Sequence, residues 1–526
     1  MRRPLIRMSM KSARISQLLF LLIFLVLFVA TDYRGRDEIS AAVNSFFRAD
    51  PLVLAGYLLA AKSFTLLLLP ALLVLILTMI LGRFFCGWLC PLGTILDLLT
   101  GRIAKGQTPS WLAGNLKYVI LFVLLGAALA GLNLAGVLDP IAILLRALTF
   151  FAYPVIGDAA RSGWVGLYRV MGDSRDHLAP GYALFRDYLL PFRETFYPLA
   201  VSSALLLIVI LLMERYGTRT WCRYLCPLGT LLGLAARISP VRRTPDRVCG
   251  DCGVCRDICP TVDNGTMPDG EECLRCFSCD DACGKDRVRF RFMHPLRLRE
   301  RPYLPQRRVL LGGIVGGLLF ARGLRWKSAE ARERLLRPPG VRNEAEFLAK
   351  CVRCGECMKV CLRSALYPAA FQAGVEGLYT PVVLPRLGYC EYHCTLCGQV
   401  CPTGAIPNLP KGEKEREVIG KAVLDKNHCL PFARKTNCIV CEEHCPIPQK
   451  AIRSRNVETV DLNGRRIVLM EPYVVDEICN GCGICEFVCP LEGKSGIEIF
   501  AAKDRTPIAA PKPAAASGKD GGDPYR

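Results

Sequence analysis

The stretch "GRFFCGWLCPLGTILDLL" at residues 82–99 returns, little changed, as "GTRTWCRYLCPLGTLLGLA" at residues 217–235. Each copy carries C-x3-C-P-L-G-T, with Cys86 and Cys90 in the first and Cys222 and Cys226 in the second. Each follows a long apolar run, at 65–82 and 197–213, and two more such runs lie at 15–30 and 117–137. All are near the about 20 residues that cross a bilayer as a helix, and the near-absence of charge over such lengths argues against buried helices of a soluble core. The expected membrane region, residues 1–240, is therefore four long transmembrane helices in two duplicated two-helix units. A short apolar stretch at 309–321 is a candidate fifth.

Flanking charge sets the orientation. Arg2, Arg3, Arg7, Lys11 and Arg14 precede the first run, Arg83, Arg102, Lys105 and Lys117 lie between the second and third, and Arg215, Arg219, Arg223, Arg237, Arg242 and Arg243 follow the fourth. Those sides are expected to be cytoplasmic, which puts both C-x3-C-P motifs at the cytoplasmic ends of even-numbered helices. The apolar loop at 138–154 is expected on the outer face, as an interfacial amphipathic helix or the wall of a pocket.

The chain has 526 residues, a net charge of +20 and 28 cysteines, with 52% hydrophobic residues. The basic residues sit beside apolar runs and around cysteines rather than in an aromatic-interleaved stripe, so membrane topology accounts for them and nucleic acid is not an expected partner. The cysteines fall into six groups of four and the two pairs above, with none left over. Cys249, Cys252, Cys255 and Cys259, followed by Pro260, form C-x2-C-x2-C-x3-C-P, the run with which bacterial ferredoxins hold 4Fe–4S clusters. Cys273, Cys276, Cys279 and Cys283 repeat it, so exchange of fourth thiolates predicts one cluster on Cys249, Cys252, Cys255 and Cys283 and another on Cys273, Cys276, Cys279 and Cys259. Residues 241–300 are thus expected to be a two-cluster ferredoxin domain.

Four more groups fall within a four-cluster ferredoxin domain at 346–500: Cys351, Cys354, Cys357 and Cys361; Cys390, Cys394, Cys397 and Cys401; Cys429, Cys438, Cys441 and Cys445; Cys479, Cys482, Cys485 and Cys489. A zinc site takes two C-x2-C pairs rather than three cysteines in one loop and a fourth before proline. The expectation is six 4Fe–4S clusters in α+β ferredoxin-like domains, joined by a linker at 301–345 and followed by a Pro- and Ala-rich disordered tail at 501–526. For Cys86, Cys90, Cys222 and Cys226 three readings stand: four thiolates of one shared iron–sulfur centre, redox thiols, or structural residues. Same-side placement of the two sulfurs in a C-x3-C turn favours the first. No Walker A loop, dinucleotide fingerprint or nucleophile elbow occurs, so no catalytic residue is assigned.

"GRFFCGWLCPLGTILD", "TWCRYLCPLGTLLGLAARISPVR" and "CGDCGVCRDICP" with "CLRCFSCDDAC" resemble the NapH-type membrane quinol dehydrogenase subunit, whose relatives include membrane ferredoxins of nitrous-oxide regulation and oxidase assembly. "CVRCGECMKVC", "CTLCGQVCPTGAI", "CLPFARKTNCIVCEEHCP" and "CNGCGICEFVCPLEGKSGIEI" resemble the NapG/MauM-type four-cluster ferredoxin, as if two subunits were fused. The resemblance implies quinol as donor from the membrane quinone pool and relay to a partner reductase or cytochrome. The competing class is a regulatory or assembly ferredoxin that supplies electrons for metalloenzyme maturation. The paired Arg307 and Arg308 before "VLLGGIVGGLLFA" look like a twin-arginine export signal. The expected location is then the bacterial inner membrane, with the N-terminus and first ferredoxin domain cytoplasmic and the C-terminal ferredoxin domain periplasmic.

Overall fold

The computed structural model describes residues 10–35, 37–39, 42–100, 115–171, 179–188, 190, 195–245, 252–262, 267, 270–283, 288–293, 307–324, 334–460, 464–502 and 504–508. Cys249, the basic segment 1–9 and the tail beyond 508 lie outside them. Two compact units result: residues 1–384 with 396–408, and residues 385–395 with 409–526.

The first unit is built on five helices: α1 (Met10–Ala30), α2 (Leu69–Leu81), α3 (Leu116–Leu129), α4 (Ala200–Met213) and α5 (Arg307–Leu324). Only α1 among them is long and apolar enough to cross a membrane, and the second such helix is Pro140–Val170. The other expected spans are shorter because their ends are capped inside the apolar run. Thr65 caps a 3-10 turn ahead of α2, and Gly131, at φ 81°, returns its amide to Ala128 and stops α3. The expected surface helix at 138–154 is instead the start of Pro140–Val170, broken only by a π-helical turn at Leu148–Ala152. Its first eight residues are all buried.

The helices alternate in direction between two ends. At one, α1 begins with Gln17 donating to the Gly87 carbonyl at 2.8 Å, α2 ends where Ser239 donates to the Ile80 carbonyl, and α3 begins with Lys117 paired to Glu272. At the other, Lys359 donates to the Thr31 carbonyl just past α1, the Asn133 amide donates to the Leu348 carbonyl after α3, and Tyr197, ahead of α4, donates to the Met358 carbonyl. Helix α5 runs parallel to α3 at glycine distance: a Cβ on Gly313 would lie 2.7 Å from Phe122, and one on Gly317 2.2 Å from the Val123 carbonyl. Close glycine contacts of this kind characterise helix pairs in lipid.

The duplication reaches further than the cysteine motifs. Asp50-Pro51 and Asp139-Pro140 each open an apolar helix, the aspartate capping and the proline at the first helical position. Both aspartates are fully buried, and burial together with the charge of Asp139 pushes the Asp50 carboxyl well above the usual carboxylate range. A pair so buried retains a proton rather than two charges.

In the second unit β5 (Lys421–Leu424) pairs antiparallel with β8 (Ile497–Phe500), and β6 (Ile452–Val460) forms a long hairpin with β7 (Arg466–Val474). The first unit contributes β1 (Val241–Pro245) with β2 (Val288–Phe292), and β3 (Leu366–Pro368) with β4 (Pro381–Val383). Two-stranded pieces bury little by themselves, so the cysteine loops between them carry much of the packing.

Candidate iron–sulfur centres

Both C-x3-C-P motifs are built alike. A short helix, Phe84–Trp88 or Thr220–Tyr224, carries the first cysteine, and the second stands in front of a helix whose first residue is the motif's proline. Cys90 Sγ accepts the Gly93 amide at 3.5 Å and Cys226 Sγ the Gly229 amide at 3.3 Å, an arrangement that favours thiolate over thiol. The glycine keeps the approach close: a Cβ would stand 3.2 Å from the Cys86 carbonyl in one copy and 3.1 Å from that of Cys222 in the other.

Two arginines, each three residues ahead of its motif, cross to the opposite copy. Arg219 donates to the Cys86 carbonyl at 2.6 Å and to both Asp97 carboxylate oxygens at 2.6 Å. Arg83 donates to the Cys222 carbonyl at 3.4 Å and pairs with Glu272 at 2.8 Å. The sequence counterpart of Asp97 is Gly233, so Glu272, from the loop that carries Cys273, supplies the second carboxylate.

Cys86, Cys90, Cys222 and Cys226 belong to one buried cluster. Burial pushes the Cys90, Cys222 and Cys226 thiols up, Cys222 to about 12, and the charges of Cys86 and of the other copy push in the same direction. Four buried sulfurs flanked by two guanidinium groups are a donor set that a multiply charged iron cluster would complete.

In the first ferredoxin region Cys276 feels Cys273 and Cys259, and Cys279 feels Cys273, Cys276 and Cys255. Cys259 thus lies within electrostatic reach of Cys273 and Cys276, and Cys255 within reach of Cys279. The other expected set includes Cys249, outside the described residues. Sequence reasoning missed Trp88, which ties this region to the first motif. Its indole nitrogen donates to the Arg275 carbonyl at 3.0 Å and its ring meets Phe277 edge-on at 6.1 Å. The departure of "CGWLC" from "CRYLC" was the signal available.

Distal to these, sequence order and spatial grouping part company. Cys351, Cys354 and Cys357 line one cavity with Cys401 rather than Cys361. In the second unit Cys429, Cys438 and Cys441 line a cavity with Cys489. Cys479 and Cys482 feel Cys445, whereas Cys429 feels Cys489. In both cavities the fourth cysteine comes from another C-x3-C loop, the grouping that exchange of fourth thiolates would give. Cys361 and Cys397 belong to the first unit and Cys390 and Cys394 to the second. Each fourth sulfur accepts a backbone amide: Cys361 from Ala365 at 3.2 Å, Cys401 from Ile406 at 3.4 Å, Cys445 from Ala451 at 3.3 Å and Cys489 from Gly496 at 3.4 Å. Such bonds raise a cluster's reduction potential by stabilising its reduced form. Among the described residues no three Cys, His, Asp or Glu side chains gather tightly enough for a single metal ion. Zinc would need thiolates about 3.8 Å apart at a Zn–S length of about 2.3 Å. Two of the sets of four instead line a cavity each.

Known proteins agree with this chemistry. A 4Fe-4S binding domain matches residues 63–118 and 197–245, the two copies of the duplicated unit, and a 4Fe-4S dicluster domain matches residues 350–405. The methylamine utilization ferredoxin-type protein MauM of Methylorubrum extorquens is 37% identical over 38% of this chain and 91% of its own length. The ferredoxin-type protein NapG of Escherichia coli is 35% identical over 35% of this chain and 78% of its own. The putative electron transport protein YccM of Escherichia coli is 27% identical over 44% of this chain and 56% of its own. No solved structure matches.

Proposed function

Because the chain belongs to the family of ferredoxin-type electron-transfer proteins that includes MauM and NapG, we propose that it oxidises quinol at the inner membrane and relays the electrons through iron–sulfur clusters to a partner reductase or cytochrome. In this reading residues 1–240 act as a NapH-type membrane part, fused to the ferredoxin that follows. Six 4Fe–4S clusters on the ferredoxin cysteines, and a seventh centre shared by Cys86, Cys90, Cys222 and Cys226, would supply the one-electron steps.

The supporting observation is the two-ended first unit. Glu272 and the C-x3-C-P motifs gather at the Lys117 end of α3, whereas Leu348, next to Cys351, gathers at its Asn133 end. Helix α5 runs the same way as α3 and carries the chain from one end toward the other. In this reading the helices that join the two ends lie in lipid, so that the first ferredoxin region faces the cytoplasm and the distal one the periplasm. The membrane-facing character rests on exposed apolar side chains such as Leu19, Leu73, Ile76, Leu205 and Val209.

Adding a short-chain quinol to purified membranes should bleach the broad visible absorbance of the clusters within the mixing time. Bleaching by dithionite but not by quinol would refute quinol oxidation and leave a ferredoxin that serves maturation.

A further inference from the structure

A cavity of mixed polar and apolar lining lies where α1 and α4 meet the first distal cysteine loop, with Cys361 as its one cysteine. Asp32, just past α1, Thr149 and Tyr153 at the π-helical turn, Tyr197 ahead of α4, and Lys359 and Cys361 all line it. The Tyr153 hydroxyl donates to Asp32 Oδ2 at 3.1 Å, and Lys359 Nζ stands 3.9 Å from the same oxygen. Thr149 is 3% exposed and its hydroxyl has no hydrogen-bond partner, a cost that a bound polar group would remove. Beside the cavity the surface turns apolar: Phe151 is 41% exposed, Ile156 62% and Phe196 63%.

We propose that this cavity is the quinol headgroup site, with Thr149 and Asp32 as partners of the two ring hydroxyls and the isoprenoid tail lying along Phe151 and Ile156. The assignment rests on the quinol reading above. Three chemical demands meet in one place. A quinol needs an apolar approach from lipid, a carboxylate to take its protons, and an electron acceptor in contact. Here Cys361 forms part of the wall, and Tyr197 feels the charges of Cys361 and Cys357. Oxidation breaks the two O–H bonds. Both protons would leave through the Asp32 carboxylate to bulk water, and an iron–sulfur cluster ligated through Cys361 would take up the two electrons one at a time and pass each to a further centre, leaving quinone. The site lies at the distal end of the helices, so electrons reach the distal ferredoxin without first crossing the hydrocarbon from the C-x3-C-P end.

The test is binding of the fluorescent quinol analogue heptyl-hydroxyquinoline N-oxide to the full chain in lipid nanodiscs, read as quenching, with visible absorbance confirming that each variant keeps its clusters. Wild type should bind. Asp32→Asn and Thr149→Val should each weaken binding about tenfold, the scale of one hydrogen bond to a charged or buried group. Tyr153→Phe, which removes a single oxygen and carries the test should the others fail to accumulate, should weaken it about threefold on the same scale. Gly316→Ala, with no neighbour within 4 Å of the added carbon, should bind as wild type. Wild-type binding with all three cavity variants unchanged would overturn the cavity while leaving quinol oxidation standing. No binding by wild type, together with no bleaching by quinol, would overturn both.

Discussion

Arg219 stands at φ 53°, a conformation that a non-glycine residue adopts only when its surroundings over-determine it. Its guanidinium is committed to Asp97 and the Cys86 carbonyl, and its amide donates to Glu214 at 2.6 Å. Glu214 bears the cost: burial raises it from 4.5 to about 7, only partly offset by the Arg219 amide and charge. A carboxyl raised in the folded state holds its proton there longer than in the unfolded chain. The stability it contributes is therefore full below about pH 4.5 and is lost as pH rises through about 7, in all about 3 kcal/mol. Glu214→Gln keeps an acceptor for the amide and should melt like wild type at pH 5 but at a higher temperature at pH 8, measured by thermal scans at both. The four buried sulfurs lead to a second expectation. If they share one cluster, Cys86→Ala or Cys222→Ala should each lose about four iron atoms per chain, and the double variant no more than either, since the sites act as a unit. Iron content unchanged in both single variants would leave the motifs as redox or structural thiols. The cysteines announced themselves by spacing, whereas Arg219 and Asp97, 122 positions apart, did not.

Among elements, the contact between α3 and α5 is the most exacting. Gly317 leaves no room for a side chain against the α3 backbone, while Gly316, one position before it, meets nothing within 4 Å. Gly317→Val should therefore destabilise by about 2 kcal/mol through forced separation of the helices. Gly316→Ala should be neutral or stabilising by about 0.5–1 kcal/mol through helix propensity. Thermal unfolding of the two variants side by side distinguishes a packed helix pair from a loosely attached segment, in which both would behave alike. The long apolar runs each overlap one of the helices α1 to α4, but did not give their ends. Those depend on Thr65, Gly131 and other capping residues whose effect is local and easily hidden within a hydrophobic run.

For the whole molecule, the opposite placement of the two cysteine-rich regions within the first unit predicts a sided protein. Alkaline phosphatase fused after Arg526 should be active in cells, and the same reporter fused after Met293 should be inactive, because the enzyme matures only in the periplasm. Activity of both fusions, or of neither, would remove the two-sided arrangement. Protease treatment of spheroplasts should likewise release the distal ferredoxin and spare the first one.

Composition and spacing alone determined that this chain is an electron carrier with two duplicated apolar units and ferredoxin-type cysteine loops, because thiolate count and helix-length hydrophobicity are local properties. Sequence order could not reveal that Cys401 completes the set begun by Cys351, that Arg83 and Arg219 trade places between the motifs, or that Asp32, Thr149 and Tyr153 share a cavity. Each of these joins residues brought near only when the helices pack, since proximity across long chain separations is fixed by the mutual burial of whole elements.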